Sequence, residues 1–357
     1  MNSVLMAASL AMGVSGAAHG CALSDPTCLR QAYSQPPAQW PAPQVDAGVA
    51  WQELGPLPER AHNPYTEQKA ALGRTLFFDP RLSRSGQLAC ASCHEPDLAF
   101  ADGRRVSFGH DRAAGRRNAP SVVTSGLAGQ LFWDGRAGSL EMQALMPVVD
   151  PKEMAFSVDE LVARLRDSAD YPAQFAAVFP GQALGAEQIA AALATYQRDL
   201  LRVAQRTPFE RFLRGRTRAL NDQQLHGLHL FRTKARCMNC HFGPAMSDDQ
   251  FHNAGLTFYG RSREDLGRYE VTGRAEDVGR FRTPSLRLVS RTGPWFHNGF
   301  ASSLDQVLVF YNVGMPRPAP KAGQVSDPLF PVTSAQFQVL GLDRVELKAL
   351  KAFLEAL

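Results

Sequence analysis

A Cys-x-x-Cys-His motif occurs twice in this chain, as Cys90, Cys93 and His94 in "LACASCHEPD" and as Cys237, Cys240 and His241 in "RCMNCHFGP", about 150 residues apart. The pattern is the attachment signature of c-type haem. Two thiols bond to the porphyrin vinyl groups, and the histidine directly behind them lies under the iron. A zinc site is the plainer reading of two cysteine pairs. It explains neither the histidine behind each pair nor their wide separation. Two covalent haem c groups therefore set the problem that the fold must solve.

The 357 residues are 45% hydrophobic and 20% charged, enough for one large core or, better, two modest ones. The formal charge of +4 is spread without Lys/Arg runs, which excludes a nucleic-acid surface. Residues 1–20, "MNSVLMAASLAMGVSGAAHG", read as a signal peptide: small, apolar, too short to span a bilayer, with Ala18-His19-Gly20 suiting a signal peptidase. No Lys or Arg precedes the apolar stretch, but covalent haem attachment itself demands export, so a periplasmic protein is expected. No other segment reads as a membrane span. Cys21 and Cys28 remain, either as a short-loop disulfide or with Cys21 lipidated.

Residues 21–62 are Pro-rich and read as an extended arm. Helical patterns follow in "TEQKAALGRTLFF", Ala186 to Ala204, Asn221 to Thr233, "SSLDQVLVFYN" and "DRVELKALKAFLEAL", while Cys90 to Asn118 is loop-like and strand signals are sparse. The expectation is a mainly α chain with two cytochrome c-like haem domains facing each other, 63–206 and 207–357, dividing near Arg206. Similarity between the halves beyond the motif reads as slight.

The segments "LFFDPRLSRSGQLACASCHEPDLAFADGR", "QLFWDGRAGSLEMQA" and "GRFRTPSLRLVSRTGPWFHNG" closely resemble the bacterial di-haem cytochrome c peroxidase and MauG family, from about Asn63 to Leu357. The resemblance implies a peroxidatic N-terminal haem and an electron-transferring C-terminal one. It places Trp133 between the haems, and Pro147 and Glu153 over the open face of the first. A carboxylate there can take a proton from H2O2 and return it to the departing oxygen. His110 matches a histidine that caps the peroxidatic iron in the oxidised peroxidases. Asn118, Thr292 and Pro294 match a calcium site, offering a side-chain oxygen and two carbonyls. His252 and His297 fall in family-like surroundings near haem propionates or the domain interface, while His226 and His229 read as solvated.

On the far side of the second haem, the peroxidases carry Met and MauG carries Tyr. Here the matching residue is Tyr311, sharing one helical face with Leu304, Val307 and Leu308; Met315, in "VGMPRP", is the rival ligand. Ala235 stands where MauG has the tryptophan through which it oxidises a partner. The function implied is reduction of H2O2 with electrons from a small periplasmic donor, a cytochrome c or cupredoxin. The alternatives are a MauG-like enzyme that oxidises Trp or Tyr on a partner protein, and a non-catalytic di-haem carrier. A homodimer is among the assemblies the sequence allows.

Overall fold

The computed structural model describes residues 21–58 and 64–357. The expected signal peptide, residues 1–20, and the boundary at Asn63 lie outside the described residues. The chain is mainly helical: Pro26–Tyr33 (α1), Glu67–Phe78 (α2), Leu140–Val149 (α3), Val158–Arg166 (α4), Tyr171–Val178 (α5), Ala186–Asp199 (α6), Leu201–Ala204 (α7), Pro208–Leu213 (α8), Asp222–Arg232 (α9), Tyr269–Thr272 (α10), Leu304–Asn312 (α11) and Arg344–Leu354 (α12). Among the described residues, the one sheet pairs Phe251–His252 (β1) with Phe281–Arg282 (β2), antiparallel.

Helix starts follow from local chemistry. Thr66 accepts from the Lys69 N–H at 3.1 Å before α2, and Asn221 from the Gln224 N–H at 2.8 Å before α9. Each satisfies a donor that the first helical turn leaves open. Asp343 and Glu346 cap α12 reciprocally. The single helix expected from Ala186 to Ala204 tightens at Leu200, whose N–H is shared by the Tyr196 and Gln197 carbonyls, and resumes as α7.

Two crossings frame the molecule, α2 on α6 and α9 on α12. At each, a glycine lets two backbones touch. A Cβ on Gly73 would lie 1.9 Å from the Ala192 carbonyl oxygen, and one on Gly227 would lie 2.0 Å from that of Ala349. Four residues on, Phe77 meets Tyr196 edge-on at 5.2 Å and Phe231 meets Phe353 at 5.3 Å. "GRTLF" against "ALATY" is thus repeated as "GLHLF" against "ALKAF". The halves share a packing device as well as a motif.

One hydrophobic core gathers Leu72, Leu76, Phe77, Leu161, Tyr171, Ile189 and Leu193; the second gathers Phe209, Leu225, Leu228, Phe231, Leu350 and Phe353. The Pro-rich arm is not merely extended. Asp25 accepts from the Thr27 and Cys28 N–H groups, Pro26 occupies the first helical turn where its missing N–H costs nothing, and α1 forms. Leu29, Tyr33, Trp40 and Leu54 then join the second core, and a disulfide links Cys21 to Cys28. His229 is correspondingly not solvated: it is half-buried beneath α1 with Nδ1 3.0 Å from the Tyr33 hydroxyl.

Candidate functional site

A cavity of about 850 Å³ lies between the cores. Its walls include Cys90, Cys93, His94, Cys237, Cys240 and His241, so the structure brings both motifs to one space. Each motif's cysteines flank a tight 3-10 turn, Cys90–Ser92 and Cys237–Asn239. The thiols are surrounded by protein and open onto the cavity; burial pushes those of Cys90 and Cys237 up to about 12.

The two histidines are anchored alike. Nδ1 of His94 lies 3.0 Å from the Phe100 carbonyl and Nδ1 of His241 lies 2.9 Å from the Met246 carbonyl. This leaves Nε2 of each ring to bind a metal, the usual arrangement for a ligating imidazole. Phe100 and Met246 both adopt left-handed backbone, with φ of 59° and 52°. Such values are uncommon for large side chains and recur here because they turn a carbonyl back onto the ring. Burial lowers the pKa of both histidines, favouring the neutral form that ligates. Four thiols and two pre-oriented imidazoles around an apolar space fit two haem groups.

The helices over the far walls are equivalent elements. "LFWDGRAGSL" (131–140) and "WFHNGFASSL" (295–304) share a turn with Phe132 and Phe296 at φ of 66° and 67°, and each ends in a serine cap, Ser139 for α3 and Ser303 for α11. This alignment places Trp133 opposite His297 and Pro147 opposite Tyr311.

On the first side, Pro147 and Gln143 line the cavity from α3. Proline cannot donate to the Gln143 carbonyl, so the helix spends a bond at the cavity wall. The following turn carries Glu153, which also lines the cavity; burial, then the neighbouring Asp150 charge, raises its pKa. Gly109 packs against this turn, where a Cβ would lie 2.1 Å from the Lys152 carbonyl oxygen, and the His110 N–H donates to the Glu153 carbonyl at 2.8 Å. The His110 ring is not brought to the cavity wall. Its Nδ1 is buried without a hydrogen-bond partner, and Nε2 lies 3.5 Å from the Asp111 carboxylate.

On the second side, Leu304, Val307, Leu308 and Tyr311 all line the cavity from α11. Burial, followed by the Cys240 and Cys237 sulfurs, raises the Tyr311 phenol's pKa, and its ring stacks on Phe296. Met315 is buried elsewhere and is not part of the wall; Ala235 is. Asp248 accepts from His252 across 2.7 Å, which occupies the two groups that otherwise approach Cys240.

Trp133 lines the cavity that the two motifs share. Its indole N–H donates to the Asn118 carbonyl at 2.8 Å, and its ring meets His297 edge-on at 6.4 Å. His297 stacks on Phe281 at 3.5 Å, and burial holds its pKa down at about 3, so it is a neutral core ring. The Trp133 loop is clamped by charges that the sequence did not reveal. Arg117 binds both oxygens of Asp265 at 2.7 Å and reaches Asp134, while Arg268 donates to the carbonyls of Asp134 and Gly135. Asn118 donates its N–H to the His297 carbonyl and its amide nitrogen to Arg104, leaving its amide oxygen as the group able to face a cation. Thr292 lines the cavity; Pro294 does not.

A family model for di-haem cytochrome c peroxidases matches residues 67–218. Cytochrome-c peroxidase IdrP1 of Denitromonas iodatirespirans is 38% identical over 333 residues, 85% of each chain. Methylamine utilization protein MauG of Methylorubrum extorquens is 40% identical over 261 residues, 72% of each. Among solved structures, a MauG-like protein associated with microbial copper homeostasis has a TM-score of 0.73 at 33% identity, covering 88% of this chain and 95% of that one. With its paired motifs converging on one cavity, the chain belongs to the di-haem cytochrome c peroxidase family.

Proposed function

We propose that this chain is a periplasmic enzyme that reduces H2O2 to water with electrons from a small redox protein, a cytochrome c or a cupredoxin. The observation that carries the proposal is a single cavity in which both motifs meet a half-buried carboxyl, Glu153, and a half-buried phenol, Tyr311. Two cytochrome c-like domains, 63–206 and 207–357, each hold one haem c. Cys90 and Cys93 would bond the first and His94 would ligate it; Cys237, Cys240 and His241 would serve the second. Among the described residues, no helix is long and apolar enough to cross a membrane.

When bound, the haems supply electron storage and an iron face for peroxide. The chain's own residues do the rest. Glu153 takes a proton from one oxygen of H2O2 and returns it to the other, so that water and not hydroxide departs. Its raised pKa suits a group that must both accept and release that proton. Pro147 keeps the neighbouring wall free of a coordinating side chain. Tyr311 would face the second haem from the wall opposite His241, and Trp133 would couple the two sites. His110, on the loop bonded to the Glu153 turn, is the residue available as a reversible cap. Asn118 Oδ1 and the Thr292 and Pro294 carbonyls hold Ca2+, hard oxygen ligands for a hard cation.

The test is mass and turnover together. The intact protein should exceed its polypeptide by two haems that survive boiling in denaturant, and it should oxidise a reduced small cytochrome when H2O2 is added. Peroxide consumption that leaves the cytochrome reduced, but adds oxygen to a neighbouring protein, would instead make it a protein-modifying enzyme.

A further inference from the structure

The N-terminal arm lays a pair of side chains against the helix that delivers the second motif, and the chemistry above does not use them. Tyr33 is buried (1% exposed), and its phenol oxygen lies 3.0 Å from His229 Nδ1. Arg232 donates to the same oxygen at 3.3 Å. The phenol proton is therefore directed at Nδ1, and the imidazole keeps its own proton on Nε2. Burial, with the His226 and Arg232 charges, lowers the His229 pKa to about 4, and burial raises that of the Tyr33 phenol. At neutral pH the pair is a neutral phenol donating to a neutral base.

Its surroundings are equally particular. The Trp40 ring lies 5.2 Å from that of Tyr33. Arg232 lies over both rings, at 5.6 and 5.3 Å, with its charge balanced by Glu53. Helix α9 ends at Arg232, shortly before Cys237, and Phe231 and Ala235 line the cavity shared by the motifs. Tyr171 makes a useful contrast. It also donates to a buried acceptor, Asp79 at 2.6 Å, but its ring partner is Phe175, which is not readily oxidised.

We propose that Tyr33 is a one-electron redox site serving the second haem. Tyr33 gives one electron to the oxidised haem centre at His241 as its O–H bond breaks and the proton passes to His229 Nδ1. The neutral tyrosyl radical is restored when an external protein donor supplies one electron through Trp40 and His229 returns the proton. The oxidant is the equivalent that H2O2 delivers, so the proposal rests on the peroxidase reading.

The experiment mixes holoenzyme with H2O2, freezes it within the turnover time and records electron paramagnetic resonance beside the haem optical spectrum. Protein grown on ring-deuterated tyrosine should give an organic-radical signal with collapsed hyperfine structure, without any mutation. Tyr33→Phe should abolish that signal while keeping both haems and the optical response, and Tyr171→Phe should leave it intact. In D2O the radical should form more slowly. A radical insensitive to tyrosine deuteration, or undiminished in Tyr33→Phe, overturns the proposal while sparing the peroxidase reading. An optical spectrum unmoved by H2O2 overturns both.

Discussion

The two halves carry the same frame and differ where the frame faces the haem. Both cross a glycine on an alanine carbonyl, both anchor a motif histidine on a left-handed residue, and both cover the far wall with a serine-capped helix. At equivalent positions of those helices stand Pro147 and Tyr311. Proline offers the iron no donor, and its turn supplies a carboxyl instead; tyrosine offers a phenol in a wall that is otherwise Leu304, Val307 and Leu308. The difference teaches that holding a haem and deciding its chemistry are separate tasks. On the function proposed above, the repeated frame does the first and a single helical position largely does the second.

The strongest test of that separation removes one site. Cys90→Ser with Cys93→Ser should lose the first haem entirely, lowering the intact mass by one haem while the second attaches normally. If both haems vanished, the two frames would not be independent. Next, Glu153→Gln should lower the rate of peroxide reaction by about 10²–10⁴-fold with haem content unchanged. A wild-type rate would break the assignment of acid–base work to the first half. Tyr311→Met should raise the potential of the second haem by on the order of 0.1 V, because thioether favours the reduced iron that phenolate disfavours. Redox titration should show the first haem moving far less. Met315→Ala should leave both potentials in place.

A smaller effect is expected at Gly109→Ala. Its Cβ would meet the Lys152 carbonyl oxygen at 2.1 Å. Overpacking of this kind costs about 1–3 kcal/mol. Thermal unfolding should register the loss, and an unchanged melting temperature would mean that the Glu153 turn is not rigidly backed. The smallest effect is in the pH profile. The Glu153 carboxylate is the proposed proton acceptor, and its pKa is raised, so the acceptor disappears as pH falls through that raised value. The acid limb of the peroxide rate should lie above the ordinary glutamate value of 4.5 and be missing in Glu153→Gln.

Much of this site could be read from the sequence, because covalent chemistry fixes spacing. That the motifs, Tyr311, Trp133 and Glu153 would share one space needed only residue order and a resemblance, and all of them line the cavity. The repeated frame was also written in the sequence, in "GRTLF" and "GLHLF", but it conserves packing roles and left-handed positions more than residue identity. The Phe100 and Met246 carbonyls had no visible signal, since neither residue type advertises a positive φ. The arm was misjudged because proline suggests extension, although Asp25 before Pro26 is a helix start. His229 reads as solvated for the same reason, since the arm's Tyr33 lies over it. The Arg117 clamp joins residues about 150 positions apart, a distance over which local pattern carries no information.

The contact between Trp133 and His297 has a consequence of its own. They are the same position in the two repeats, 164 residues apart (297 − 133), and they touch each other in the middle of the molecule. In an isologous dimer, a position that meets its own copy lies at the two-fold axis. Here the corresponding contact is made within one chain. A true dimer must place the same residue on both sides of its axis. Within one chain that constraint does not apply, and the contact pairs an indole with a neutral imidazole.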